Sequence, residues 1–345
     1  MIPYWQNNYF DKIENISKKM SNKERLVYLN GKFVTESESK ISIYDSALMF
    51  GDMVFEMTRS FNKKQFKLKQ HIERLFKGLK ILEINTNLDQ NQLLDICQKV
   101  QEINDPLFDE NDEHRLMINI SRGPLGIYAG QVSGLIQEPT IVVADFPLKW
   151  TLVGMSNFYK EGINCVVPSQ RAIPATLMDP KIKNRSRMWY QMANIEVSKL
   201  NGANNWPLLI DPDGFITEGT GNNFFFIKDK IIYTSEGRNI LKGTRRQYIF
   251  ELADQLGLDC VEKNFEPYDI YEADEAFVTG TPFCILPVTK FQFKPIGDGL
   301  FGKFTRLLLK QWSDNVGLDI QQQIINFNIE HDINIKGSTP YQHKT

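Results

Sequence analysis

The stretch Thr217-Glu218-Gly219-Thr220-Gly221-Asn222-Asn223, running straight into Phe224-Phe225-Phe226, constrains the chain more than any other segment. It sets one carboxylate at a glycine-rich bend between two apolar runs. Gly219 and Gly221 permit a close backbone approach that larger residues forbid, so this acid can be held rigidly against a flat ligand.

The chain has 345 residues, too many for one ordinary core and too few for three, which predicts two packed lobes with a ligand-binding cleft between them. With 42 acidic against 40 basic residues and a net charge of −2, no field steers it to nucleic acid or to an anionic membrane. A small neutral or zwitterionic partner is expected. Cys97, Cys165, Cys260 and Cys284 lie far apart without metal-type spacing; they read as reduced core residues of a cytoplasmic protein with no metal site. Residues 1–24 contain no apolar run long enough for a signal peptide or a membrane span. Their Tyr4, Trp5, Tyr9 and Phe10 suit an arm that packs on its own lobe or on a second subunit. The expected organisation is this N-terminal arm over 1–24, a small α+β domain over 25–146, an interdomain linker over 147–155 around Pro147, a large α+β domain over 156–327, and a polar tail over 328–345 that frays.

Within the first lobe, Asn30-Gly31 between two β-prone runs predicts a hairpin over 27–34. Partial alternation over 53–61 and the β-prone run 65–68 predict two more strands. Ile72, Leu75, Phe76, Leu79 and Leu82 recur at helical spacing and predict a helix over 71–82. A second helix over 89–103 and strands over 115–121 and 140–145 complete the lobe. In the second lobe, strands are predicted at 164–168, 207–210, 224–227, 231–233 and 275–279, and helices at 188–200 and 246–256. No glycine-rich dinucleotide fingerprint follows a strand. His114, His331 and His343 have no partners for a metal site or a catalytic triad.

Three features carry chemistry together. Lys183 supplies an amine able to form a Schiff base, Glu218 an acid able to pair with a pyridinium nitrogen, and Gly243-Thr244-Arg245 backbone donors for a phosphate at a predicted helix start. That is the inventory a pyridoxal 5'-phosphate enzyme requires. A lysine's ordinary pKa is about 10.4, so a neutral amine near pH 7 needs desolvation or positive neighbours, which Arg185 and Arg187 offer. Lys181 is the competing candidate.

Phe50-Gly51-Asp52 with Val54-Phe55-Glu56, then His71-x-x-Arg74-Leu75, Lys183, Glu218-Gly219-Thr220-Gly221-Asn222-Asn223, Leu241-x-Gly243-Thr244 and Thr279-Gly280-Thr281 before Pro287-Val288 occur in a specific order and spacing. Over residues 27–288 the chain resembles the class IV, or fold-type IV, pyridoxal phosphate-dependent aminotransferases, and the branched-chain amino acid aminotransferases in particular. The resemblance implies a two-domain α+β fold of the D-amino acid aminotransferase-like kind, with the cofactor in the interdomain cleft. It makes Lys183 the Schiff-base former and the proton shuttle at the substrate Cα, and Glu218 the partner that keeps the pyridine nitrogen protonated. Arg74 becomes the phosphate anchor, with His71 supporting its helix. The amides of Thr244 and Arg245 and the hydroxyl of Thr281 join it at the phosphate, and Leu241 packs on the ring. The family also implies a homodimer in which the loop near Ile127 and Tyr128 serves the neighbouring subunit's site.

Several positions depart from the pattern. Arg245 stands where many branched-chain enzymes have Thr. Ser186, Arg187 and Met188 fill the places of a tyrosine that meets the cofactor's phenolic oxygen. Pro282 has no N–H where a backbone donor to the substrate carboxylate is usual. Arg59 and Arg187 are the candidates to replace it, or else are structural ion-pair partners. Ile127 and Ala129 occupy the places of the carboxylate trap of D-alanine-type enzymes, which argues against that trap. Phe50, Phe55, Met57 and Tyr128 suit an apolar substrate pocket, or simply a core. The leading expectation is amino transfer from a branched-chain L-amino acid to a 2-oxo acid such as 2-oxoglutarate. The alternatives are a D-amino acid or (R)-amine aminotransferase, a lyase of the aminodeoxychorismate type, and a catalytically silent binding protein.

Overall fold

The computed structural model of the protein describes residues 24–202 and 204–331. The chain divides into two compact units: one holds the described residues up to Thr58 together with Leu68–Pro147, the other Arg59–Lys67 together with everything described from Leu148 onward. The expected arm lies outside the described residues except for Glu24, as does the tail beyond His331.

The first unit is built on a five-stranded antiparallel sheet in the order Lys32–Thr35, Leu26–Leu29, Thr140–Pro147, His114–Ser121, Met53–Met57. Asn30 and Gly31 adopt φ of 45° and 83°, the left-handed pair that a two-residue hairpin turn needs. The helices Leu68–Ile81 and Gln90–Asn104 cover the sheet. Their buried residues Ile72, Leu75 and Leu79, and Leu93, Cys97 and Val100, fall at the three- and four-residue intervals of one helical face. Asp89 and Gln92 exchange bonds in a capping box that starts the second helix. His114 is buried with Nδ1 on Asp145 (2.7 Å) and Nε2 on Asp105 (2.8 Å), within the packing of this unit.

The second unit carries a nine-stranded mixed sheet in the order Ile216–Gly219, Asn205–Ile210, Ile163–Val166, Cys284–Phe291, Glu275–Gly280, Asn223–Lys228, Ile231–Ser235, Cys260–Lys263, with Lys294–Pro295 paired to Cys284–Phe291. Three of its pairings are parallel. Phe225 and Phe277 face each other across adjacent strands and stack at 4.9 Å, so the apolar run after the bend forms the centre of this core. The helices Thr244–Gln255, Lys303–Val316 and Ile320–His331 complete it.

Two boundaries differ from expectation. Continuity in sequence assigns residues 59–67 to the first lobe, but they cluster with the second unit, where Phe66 packs at 5.0 Å from Tyr248 and 6.0 Å from Trp312. Lys67 adds an ion pair to Glu251 at 2.6 Å. The region 147–155 is not loose linker: the strand runs to Pro147, and Leu148 and Leu152 are fully buried on a helical turn, Lys149–Leu152. Burying two leucines on one turn stabilises it by a few kcal/mol, on the order of 2 for each side chain. The tail expected from 328 begins as helix, through His331.

Candidate active site

Glu218 lies on the strand Ile216–Gly219, directly opposite Asn223 on the next antiparallel strand. Opposite residues in such a pair present their side chains on one face, and Asn223 Nδ2 donates to Glu218 Oε2 at 2.8 Å. The same Nδ2 donates to the Leu241 carbonyl at 3.0 Å, while the Leu241 amide donates back to Glu218 Oε1 at 3.1 Å. Oε1 takes a second bond, from the Tyr190 hydroxyl at 2.8 Å. Gly243 must be glycine here, because a Cβ would lie 2.3 Å from Asn223 Oδ1.

This carboxylate is 5 % exposed, its three donors are neutral, and it makes no ion pair with a described residue. Burial raises its pKa above the ordinary carboxylate value; the Tyr190 hydroxyl, the Leu241 amide and the charges of Arg187 and Lys183 oppose that rise without cancelling it. The site therefore suits a ligand that brings its own cation, as a protonated pyridine ring does.

Lys183 is half-buried on the irregular segment before the helix Met188–Ser198. It is distinguished from Lys181, whose Nζ pairs with Asp179 at 2.9 Å and donates to the Arg238 carbonyl at 3.2 Å. The charge of Lys183 acts on Glu218. Arg187 precedes the helix and its guanidinium sits 5.2 Å over the Tyr190 ring.

Three residues beyond Leu241, the 12-residue helix Thr244–Gln255 begins at Gly243 with no side-chain cap. Its first-turn amides have no acceptor within the helix, and its dipole favours an anion there. The Arg245 side chain is buried, 4.8 Å over Phe66, with Nη1 on Thr244 Oγ1 at 3.3 Å.

The turn Thr281–Cys284 is fixed by its carbonyls. Arg59 Nη1 donates to Pro282 O at 2.8 Å, Tyr159 Oη to Phe283 O at 3.0 Å, and Thr279 Oγ1 to Cys284 O at 2.6 Å. These bonds hold Cys284, a non-glycine residue, at φ 64°, in the left-handed region that side chains disfavour. The sequence leaves Arg59 two roles, substrate carboxylate or structural partner. Its side chain is 0 % exposed and donates to Ser60 O, Pro282 O, Gln323 Oε1 and Cys284 Sγ, with Phe61 stacked at 3.9 Å. Four of its five N–H donors are thus used inside the protein, where it supports the turn.

The first unit holds Phe50, Phe55, Arg74 and Tyr128. Arg74 Nε and Nη2 grip the two oxygens of Glu56 at 2.7 Å each, and His71 Nδ1 meets Glu56 Oε2 at 2.6 Å. Burial would raise the Glu56 carboxyl, but Arg74 and His71 overcome it and hold it well below the usual carboxylate range. Phe50 ends the helix Ser46–Phe50 and is exposed, whereas Phe55 is buried in its strand. Tyr128 rests on Tyr44 at 4.6 Å. Among these, Glu56 was legible in the motif but its grip on Arg74 was not. In the second unit, Tyr190 and Tyr159 carried no signal, and Asn223 could have been found from the register of a tight hairpin at Glu218.

An α+β protein with a buried acid awaiting a cation and an open helix start nearby is built for an aromatic ligand with an anionic end. Residues 53–291 match the amino-transferase class IV family. The chain is 32 % identical to a putative branched-chain-amino-acid aminotransferase of Methanocaldococcus jannaschii, covering 84 % of this chain and 95 % of that protein. It is 30 % identical to the aminodeoxychorismate lyase of Bacillus subtilis over 77 % of this chain and 87 % of that one. Its fold is shared with the solved branched-chain aminotransferase of the thermophilic archaeon Thermoproteus uzoniensis, with a TM-score of 0.73 at 23 % identity, covering 85 % of this chain and 95 % of that one. The chain belongs to the class IV aminotransferase family, and its fold is the two-domain α+β fold of that family. No helix among the described residues is long and apolar enough to cross a membrane.

Proposed function

We propose that the protein uses pyridoxal 5'-phosphate to move the amino group of a branched-chain L-amino acid to a 2-oxo acid such as 2-oxoglutarate. The observation that carries the reading is Glu218, buried, ringed by neutral donors and without an ion-pair partner among the described residues. When bound, the cofactor supplies an electrophilic carbon for the amino group and a conjugated ring that accepts the electrons left as Cα loses its proton. Glu218 holds the proton at the ring nitrogen. Lys183 carries the proton to and from the substrate Cα. The amides of Thr244 and Arg245 bind the phosphate at the helix start, and Leu241 lies along the ring. Thr281 supplies a hydroxyl from a turn that Arg59 fixes through Pro282. Arg74 keeps its place in this reading as an anion-binding guanidinium, its plane set by Glu56. Arg187 remains the candidate for the substrate carboxylate, and Phe50, Phe55 and Tyr128 for its side chain.

The branched-chain donor is supported by likeness to the Methanocaldococcus jannaschii relative. A cytoplasmic homodimer is part of the same proposal. It is supported by free cysteines at 97, 165, 260 and 284 and by a run of exposed apolar residues, Ile41, Ile43, Leu48, Met49 and Phe50, of the kind a second subunit covers. The test is the visible spectrum of the protein saturated with pyridoxal phosphate, followed on separate addition of L-leucine, D-alanine and (R)-1-phenylethylamine without an acceptor. Rapid conversion to the aminated cofactor is expected with L-leucine. Conversion only by D-alanine or the amine would reassign the donor, and no bound-cofactor absorbance would overturn the reading.

A further inference from the structure

Glu218 has two oxygens and about four acceptor positions. Oε1 receives both the Tyr190 hydroxyl and the Leu241 amide, while Oε2 receives only Asn223. One acceptor position is left, on Oε2. Tyr190 is not free to wander from this arrangement. Its ring is buried with Ala172, Ala193 and Leu209, edge-on to Trp189 at 5.4 Å, and covered by the Arg187 guanidinium. A hydrogen bond to a carboxylate favours its charged form and weakens its hold on a further proton.

Resting on the cofactor reading above, we infer that Tyr190 is a positioning residue for amino transfer: it occupies Oε1, leaves Oε2 as the oxygen that meets the ring N–H, and keeps the shared proton on the ring nitrogen. The tyrosine that the family pattern puts nearer to Lys183 is missing, and this one, seven residues after Lys183 and one helical turn beyond Arg187, serves the acid in place of the phenolic oxygen. Removing its hydroxyl opens a second position on Oε1 and makes the carboxylate more basic, so the proton moves toward Glu218 and the ring loses part of its capacity to accept electrons.

The experiment loads wild type and Tyr190→Phe with pyridoxal phosphate labelled with ¹⁵N in the ring and reads the ring-nitrogen chemical shift beside the donor half-reaction. The wild type is expected at the pyridinium position and Tyr190→Phe displaced toward neutral pyridine. The half-reaction should slow about tenfold at saturating donor, as loss of one charge-assisted hydrogen bond implies, with KM changed by less than about twofold. An unchanged shift in a folded, loaded Tyr190→Phe protein would overturn the role of Tyr190 while leaving the cofactor reading intact. A wild type that binds no labelled cofactor would overturn both. Should Tyr190→Phe fail to fold, 3,5-difluorotyrosine at position 190, a stronger donor, carries the test: it should sit at or beyond wild type on the pyridinium side, and a displacement toward neutral pyridine would refute the inference.

Discussion

Glu56 and Glu218 are both buried carboxylates, one in each unit, and they are solved in opposite ways. Glu56 has its cation in place: Arg74 grips both oxygens and His71 adds a third bond, so its pKa falls despite complete burial. Glu218 has three neutral donors, the charges of Arg187 and Lys183 do not offset its burial, and its pKa rises. The first is a closed unit in which removing Glu56 or Arg74 leaves an unpaired charge behind. Under the proposed function, the cation that completes the second comes with the cofactor. A buried acid is a candidate for chemistry when its hydrogen bonds are satisfied and its charge is not.

That contrast can be broken at several points. Glu218→Gln is expected to slow the donor half-reaction on the order of 10²- to 10³-fold while the apoprotein folds normally; stopped-flow spectra and denaturant unfolding on the same samples check both halves. Glu56→Gln should reverse the pattern, costing about 3 kcal/mol of unfolding free energy by stranding Arg74 and His71, and a loss under about 1 kcal/mol would show that Glu56 is not the closed unit described. The pH dependence of apoprotein stability should carry both signs. The Glu56 contribution is present above the ordinary pKa of 4.5 and is lost as pH falls through its depressed pKa. The Glu218 contribution is fully present below 4.5 and is lost as pH rises through its elevated pKa. Unfolding curves from acid to neutral pH should therefore find Glu218→Gln gaining on wild type as pH rises, and a constant difference would contradict the elevated pKa. The smallest effect is expected for His71→Gln, about 1 kcal/mol, since Arg74 continues to neutralise Glu56.

Legibility in the sequence tracked the range of the interactions. The hairpin at Asn30-Gly31 and the helix at Ile72, Leu75 and Leu79 are written in local turn chemistry and periodicity, and both formed where the pattern put them. Glu218, Leu241 and Thr244 sit within 27 residues of chain on adjoining elements, and their grouping follows from one hairpin and one helix start. Arg59 could not be read this way. Its partners Pro282 and Gln323 lie 223 and 264 residues away, and nothing local distinguishes a guanidinium that supports a turn from one that binds a substrate. Tyr190 was hidden for another reason: it lies on the buried face of its helix with Ala193 and Val197, and an aromatic residue at that spacing reads as core. The parallel pairings of the second sheet were equally invisible, since they join strands such as Ile163–Val166 and Cys284–Phe291 from distant parts of the chain.

Leu241 ties its amide to Glu218 and its carbonyl to Asn223, and three residues later Thr244 opens the helix. Three residues of backbone reach roughly 10 Å at most, so this stretch works as a caliper, with one jaw at the acid and the other at the amides. Under the proposed function, the cofactor would be measured end to end before any reaction begins. A ring without its anionic tail would close on one jaw only, and a longer spacer would overshoot the second. Lengthening the caliper by a single inserted residue after Lys242 would leave both jaws intact and set them to the wrong gauge.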